Sequence, residues 1–376
     1  MRIGVPKETA AGEFRVALVP DVVAKLTKAG HEVVVEAGSG AGAMLPDSSF
    51  TEAGAKIVAA RADLLDSDVI VSVAPPSTEQ VAGFKRDSVI IGFLQPLTNG
   101  EGVNALASAG VTAFAMESVP RISRAQSMDA LSSQSNVAGY RAALIGAQEL
   151  GRFYPMLMTA AGTIRPATVL VLGAGVAGLQ AIATARRLGA VVQAFDVRAA
   201  VKEQVESLGA KFLEFDLGGD LEGEGGYAKE LTDEQRTRQQ ELLTEAIGKV
   251  DVVITTALVP GRPAPKLVMA AAVEAMKPGS VVVGLAGEAG GNCELTKPGE
   301  TIIEHGVKIV SPLNLPATMA EHASQLYAKN IESLLGLMTS EDGNLTLDFE
   351  DEIISGACIT KGGEIVNEGA KAAAGR

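Results

Sequence analysis

One stretch constrains the fold more than any other: residues 168–198, TVLVLGAGVAGLQAIATARRLGAVVQAFDVR. An apolar, β-branched run ends at Gly173-Ala174-Gly175-Val176-Ala177-Gly178, a helical pattern follows, and a second apolar run ends at Asp196, 18 residues after the last glycine. Strand, glycine turn, helix and strand in that order predict a βαβ unit of a parallel sheet. Each glycine has its own task there. Gly173 permits the tight turn, Gly175 lets backbone N–H groups approach a pyrophosphate, and Gly178 permits close helix–strand packing. The helix N-terminus adds partial positive charge and free donors. Asp196 would accept from the adenosine ribose hydroxyls, and its charge would repel a 2′-phosphate. The expected cofactor is therefore NAD (NADH) rather than NADP, with Arg198 a solvated neighbour of the ribose pocket.

The same strand–helix alternation runs through the rest of the chain. Before the motif, apolar strands are expected at Arg2–Val5, His31–Glu36, Lys56–Val58, Val69–Val73, Ser88–Phe93 and Thr112–Ala115, with helices opening at Pro20 and Asp47. Uninterrupted β-branched runs indicate parallel strands buried on both faces. The segment Pro120–Asn136 breaks the rhythm, and a long helix is expected over Asn136–Phe153. Further strands are expected at Val191–Phe195, Val250–Thr255, Ser280–Leu285 and Val307–Pro312, then a helix over Ala317–Met338 and an irregular, acidic tail. A length of 376 residues suits two domains. The expectation is α/β: two doubly wound parallel-sheet (Rossmann-like) domains with a cleft between them. Residues 134–315 form the dinucleotide-binding domain, and 1–133 plus 316–376 form a discontinuous first domain, since a chain that inserts one domain within another commonly returns to the first.

What the chain lacks narrows its chemistry. A net charge of −13 excludes a phosphate-tracking surface, so no nucleic acid is expected. Two cysteines, Cys293 and Cys358, build neither a disulfide framework nor a metal site, and no metal is expected. No secretory signal opens the chain. Pro166–Ala185 is free of charge for 20 residues, but its glycines divide it into a strand and a helix, so it reads as a soluble core element rather than a membrane span. His31, His305 and His322 are the only histidines; the first two read as surface residues and the third as structural. No general base is evident beside the cofactor site. Oxidising an alcohol or amine requires moving a proton as well as a hydride, whereas exchange between two nicotinamides does not.

Asp216–Gln240 is rich in glycine and charge, and a loop of that length is expected to be functional or a solvated excursion. Two strand ends complete the expected pocket: Thr255-Thr256-Ala257-Leu258-Val259-Pro260-Gly261 and Leu285–Gly291.

Taken together, RIGVPKE, EFRVALVP, the glycine fingerprint, TTALVPGRPAP and MKPGSVVV resemble the alanine dehydrogenase and transhydrogenase family along nearly the whole chain. Within it the chain is most similar to the NAD(H)-binding component of proton-translocating transhydrogenases. That likeness rests on Pro120–Asp129 (PRISRAQSMD), followed by LSSQSNVAGYRA, where Arg121, Gln126 and Asp129 stand at the spacing of the family's Arg–Gln–Asp loop. It rests also on VRAAVKEQVESLGAKF and on the glycine-rich stretch ending at Gly226-Tyr227, which matches the family's mobile loop. The resemblance implies that Arg121 and Asp129 fix the nicotinamide end of NAD(H), with Ser132 nearby, and that Gln126 reaches toward a second nucleotide on a partner. It also implies cofactor contacts at Ser127, Met128, Val176, Val197, Arg198, Gly226, Tyr227, Gln239, Thr256, Ala257 and Leu258. A guanidinium suits a diphosphate or carboxamide oxygen, and a carboxylate can accept from the carboxamide NH₂.

The function implied is hydride transfer between NAD(H) here and NADP(H) on a partner component, coupled to proton translocation through membrane-spanning subunits. The chain would be a separate homodimeric subunit, cytoplasmic and peripheral to the inner face of the cell membrane, active only with its partners. Transfer needs the two nicotinamides about 3–3.5 Å apart. The alternative within the family is an alanine dehydrogenase-like enzyme. There a lysine and a histidine bind and protonate the substrate, and the matching positions here are Ala74 and Gln95, although Arg15 is retained. A non-catalytic NADH-binding regulator is the other alternative. Gly284 and Gln95-Pro96 depart from the transhydrogenase pattern.

Overall fold

The structure is a computed structural model and describes residues 1–215 and 232–375. The chain forms two compact units, one of Met1–Gln134 with Pro316–Arg376 and one of Ser135–Leu315. In the first, β1 (Arg2–Val5), β2 (Glu32–Glu36), β3 (Lys56–Val58), β4 (Val69–Val71), β5 (Val89–Gly92) and β6 (Thr112–Ala115) lie parallel in the order 3-2-1-4-5-6. That order reverses between β1 and β4, and such a switch point opens a crevice outside the strands' carboxyl ends. Strands β4 to β6 are buried at every residue, as their unbroken apolar runs require.

The second unit repeats the plan. A two-stranded hairpin, β7 (Leu157–Thr159) with β8 (Gly162–Ile164), stands apart from the main sheet. That sheet contains β9 (Thr168–Leu172), β10 (Val191–Phe195), β11 (Lys211–Phe212), β12 (Val252–Thr255), β13 (Val281–Gly284), β14 (Thr301–Glu304) and β15 (Val307–Val310). It is ordered β11-β10-β9-β12-β13-β15-β14, parallel except for β14. Its switch point lies between β9 and β12, at the carboxyl end of the strand carrying the glycine turn. The uncharged Pro166–Ala185 stretch divides here into β9 and the helix Val176–Arg187. Among the described residues, no helix is long and apolar enough to cross a membrane.

The C-terminal stretch corrects the expectation of an irregular tail. The helix Ala320–Leu337 returns to the first unit's core through Tyr327, Ala328, Ile331, Leu334 and Leu335. Then β16 (Cys358–Lys361) pairs antiparallel with β6, and β17 (Glu364–Ile365) extends that edge. Thr360 Oγ1 donates to the Val111 carbonyl at 2.8 Å, so even this edge strand's hydroxyl is satisfied. His31 is a second correction. It is buried rather than at the surface, and desolvation, helped by the N-terminal ammonium, lowers its pKa. His305 and His322 are exposed.

Candidate functional site

The glycine turn is built as its spacing requires. Gly173 has φ of 99°, a conformation that a side chain disfavours, and its N–H donates to the Phe195 carbonyl at 2.9 Å. The helix Val176–Arg187 starts after Gly175, and no side chain caps it. A Cβ on Gly175 would meet nothing within 4 Å, whereas one on Gly178 would lie 1.9 Å from the Gly173 carbonyl oxygen. One glycine thus keeps space open before the helix N-terminus, and the other lets the helix sit against the turn. An uncapped N-terminus facing open space fits a pyrophosphate in charge and in donors. Val176 is exposed at this end.

Asp196 follows β10, and its carboxylate is saturated. Oδ1 accepts from the Arg198 backbone N–H and Nε, both at 2.9 Å. Oδ2 accepts from the Ala174 N–H and from an Arg198 terminal nitrogen, both at 2.8 Å. Burial alone would raise the Asp196 pKa, but the Arg198 guanidinium and these N–H groups together hold it below the usual carboxylate range. Arg198 is therefore not the solvated neighbour expected. Its side chain is 18% exposed and ion-paired. Val197 packs against the hydrophobic core beside it.

The loop after β12 is tied to the same turn. Thr256 donates its backbone N–H to the Leu172 carbonyl at 2.9 Å and its Oγ1 to the Gly173 carbonyl at 3.0 Å. Ala257 is half-buried and Leu258 exposed. Two residues not anticipated from sequence hold this loop. Buried Asn292 donates to the carbonyls of Ala257 and Pro265 at 2.8 and 2.9 Å, and Lys266 Nζ to those of Gly290 and Gly291 at 2.7 and 2.8 Å. The only sequence signal was an Asn closing the run LAGEAGGN. Gln239 is buried on the helix Asp233–Ile247, which Thr232 and Gln235 open with a capping box. The 216–240 stretch is therefore helical from 233 onward, while Gly226 and Tyr227 lie outside the described residues.

In the first unit, Ser123–Met128 forms a 3₁₀ turn and the long helix begins at Ala130, earlier than expected. Asp129 explains that start. Its Oδ1 accepts the Ser132 N–H at 2.8 Å and its Oδ2 the Ser132 hydroxyl at 2.6 Å, an N-terminal cap. Asp129 and Ser132 are thus brought together. Gln126, Ser127 and Arg121 are exposed, but Met128 is buried in the core, which leaves only its backbone for a ligand. The turn is anchored from two sides. Asn330 Nδ2 donates to the Ser127 carbonyl at 2.8 Å while its Oδ1 accepts from Ser133 Oγ at 2.7 Å, and Arg124 forks onto Asp351 at 2.6 and 3.0 Å.

The switch-point crevice of this unit is filled by the chain itself. Glu8, on the loop after β1, accepts from the N–H groups of Val73 at 2.5 Å and Ala74 at 3.2 Å, just beyond β4. Arg15 is buried against Glu13, with Nε to Oε1 at 2.8 Å and a terminal nitrogen to Oε2 at 2.6 Å, and its other terminal nitrogen donates to Gln134 Oε1 at 2.8 Å. The Gln95 N–H donates to Glu117 at 2.6 Å, and its side chain is exposed.

Burial raises the Glu8 pKa from 4.5 to about 7, partly offset by those two N–H groups. A proton held more tightly by the folded state contributes stability that is complete below about pH 4.5 and lost as pH rises through about 7. The expected loss is on the order of 2 kcal/mol. Thermal unfolding midpoints should fall between pH 5 and pH 8, and Glu8→Gln should flatten that slope. Glu117, raised in the same direction by burial, leaves a residual slope. An undiminished slope in Glu8→Gln would show that Glu8 ionises normally.

Comparison with known proteins accords with this geometry. Residues 4–138 match the family described as alanine dehydrogenase/PNT, N-terminal domain, and residues 142–368 its C-terminal domain. The chain is 52% identical over 376 residues to the first of the separate chains that make up the NAD(P) transhydrogenase alpha subunit of Rhodospirillum rubrum, covering 98% of each. It is 33% identical over 327 residues to the alanine dehydrogenase of Mycobacterium tuberculosis, covering 85% of this chain and 82% of that enzyme. The crystal structure of transhydrogenase from Sinorhizobium meliloti superimposes with a TM-score of 0.86 at 46% identity, over 98% of this chain and 99% of that one.

Proposed function

We propose, from the premise that this chain belongs to the alanine dehydrogenase/PNT family, that it is the NAD(H)-binding component of a proton-translocating transhydrogenase. It exchanges a hydride between NAD(H) held here and NADP(H) held on a partner component. Residues 134–315 act as the NAD(H)-binding domain, with 1–133 plus 316–376 as the other. The turn at Gly173, Gly175 and Gly178 and the helix N-terminus hold the pyrophosphate, Asp196 reads the ribose, and Thr256, Ala257, Leu258 and Gln239 line the site. Arg121 and Asp129 hold the nicotinamide end with Ser132, and Gln126 orients toward the partner's nucleotide. Tyr227 belongs to a loop that closes over the cofactor. A bound nicotinamide supplies a carbon that gives or takes a hydride, so this chain needs no side chain to carry a proton at that step.

The observation that carries the choice within the family is Arg15. A dehydrogenase of a 2-amino acid needs a cation for the substrate carboxylate and a group that takes a proton. Here the Arg15 guanidinium is committed to Glu13 and Gln134, Glu8 fills the crevice, and positions 74 and 95 hold Ala and Gln. The homodimeric state, the membrane-spanning partner subunits and a place at the inner membrane face belong to the same proposal. The name of the Rhodospirillum rubrum relative, a portion of an alpha subunit, supports it.

The test is NADH oxidation by the purified chain, alone and with partner subunits loaded with NADP⁺, beside a well containing pyruvate and ammonium. Turnover only with the partner supports the transhydrogenase reading. Turnover with pyruvate and ammonium alone would replace it with an alanine dehydrogenase, and NADH binding without turnover anywhere would leave a regulator.

A further inference from the structure

We propose that Arg198 is a latent 2′-phosphate-binding residue that Asp196 holds out of use, so nucleotide choice in the second unit is set by this pair and not by the carboxylate's charge alone. The inference rests on the dinucleotide reading above. Asp196 stands where the adenosine ribose is read in a doubly wound sheet, beyond the second strand of the unit. A carboxylate offers about four acceptor sites, and four N–H donors already occupy those of Asp196, two of them from the Arg198 guanidinium.

The fork is bidentate, with both side chains largely buried at 18% and 7% exposure, which is the geometry that recognises a phosphate equally well. The guanidinium thus has two mutually exclusive anionic partners. While Asp196 is ionised it keeps the fork, and a 2′-phosphate meets a neutralised cation beside a carboxylate. Without that charge, the same fork is released toward the ribose 2′ position. The nearby cation Lys202 is paired with Glu214 and so does not substitute for it.

The experiment titrates NADH and NADPH into the full-length chain by nucleotide fluorescence, in the wild type, Asp196→Asn, Arg198→Ala and the double variant. Asn keeps one acceptor for the Ala174 N–H, which protects the glycine turn. Asp196→Asn is expected to bind NADPH at least about tenfold more tightly than the wild type, the scale of one charge-assisted hydrogen bond. That gain should shrink as salt is raised, and it should vanish in the double variant. A double variant that keeps the gain would overturn the proposal, because relief of repulsion would then explain everything.

Should Asp196→Asn not fold, Arg198→Ala decides alone. Residual NADPH affinity below the wild type supports the latent role, and unchanged affinity overturns it. A wild-type chain that binds no NADH would instead remove the dinucleotide reading, and this inference with it.

Discussion

Replacing Gln126 with Asn will slow hydride exchange with the partner component about a hundredfold while changing NADH affinity by less than about threefold. Gln126 is exposed on the 3₁₀ turn Ser123–Met128, away from the core. The turn itself is fixed: Asn330 holds the Ser127 carbonyl, Arg124 forks onto Asp351, and the Asp129 N–H donates to the Gln126 carbonyl at 3.3 Å. Shortening the side chain by one methylene therefore withdraws the carboxamide by about 1.5 Å without moving its base. Misplacement on that scale costs about two orders of magnitude in a reaction that depends on close approach. An exposed, conservative change leaves stability within about 0.5 kcal/mol. Single-turnover transfer and equilibrium NADH titration on the same preparation separate the two effects. Equal losses in both would remove the bridging role.

The second large effect is at Gly178. Its added Cβ would stand 1.9 Å from the Gly173 carbonyl oxygen, 2.8 Å from the carbonyl carbon and 3.2 Å from Thr256 Oγ1. The first two are backbone atoms and cannot rotate away, so the helix Val176–Arg187 must move off β9. Gly178→Ala is expected to cost about 3 kcal/mol, the upper part of the range for overpacking. In a unit of this size that lowers the melting temperature by about 5–10 °C. NADH binding should weaken at least about tenfold, since the helix N-terminal donors move with the helix.

Gly175→Ala is the control, because its φ of −76° suits any residue and its Cβ meets nothing within 4 Å. It should fold normally and still bind NADH poorly, its methyl standing where the pyrophosphate approaches. Wild-type affinity in Gly175→Ala would show that the open space before the helix is not the phosphate site.

How far each feature could be read from sequence follows from the range of the interactions that make it. The glycine turn, β9, β10 and the following helix are local, and their signals lie within one run of 31 residues, 168–198. The Arg–Gln–Asp stretch was legible in the same way, as a contiguous pattern. Even there, a local contact was missed: the carboxylate of Asp129 caps the helix that starts beside it, so the helix begins at Ala130 rather than Asn136. The C-terminal strands were not legible, because β16 and β17 have four and two residues and their place is set by pairing with β6. Strands so short carry too little periodicity to be recognised alone.

The sequence by itself determined the fold class, two rounds of strand–helix alternation, and the dinucleotide motif. Those follow from the order of apolar runs and from glycines whose conformations no other residue fills as readily. Tertiary structure alone decided which charged side chains are already spent. Arg15 and Arg198 look like available cations in the sequence, yet one is buried against Glu13 and the other against Asp196. A guanidinium's partner depends on backbone direction, rotamer and burial together, and a charge losing its water must find the nearest anion with the right geometry. That is why Arg15 offers a substrate carboxylate little, and why the specificity of the nucleotide site comes to rest on a pair of residues rather than on one.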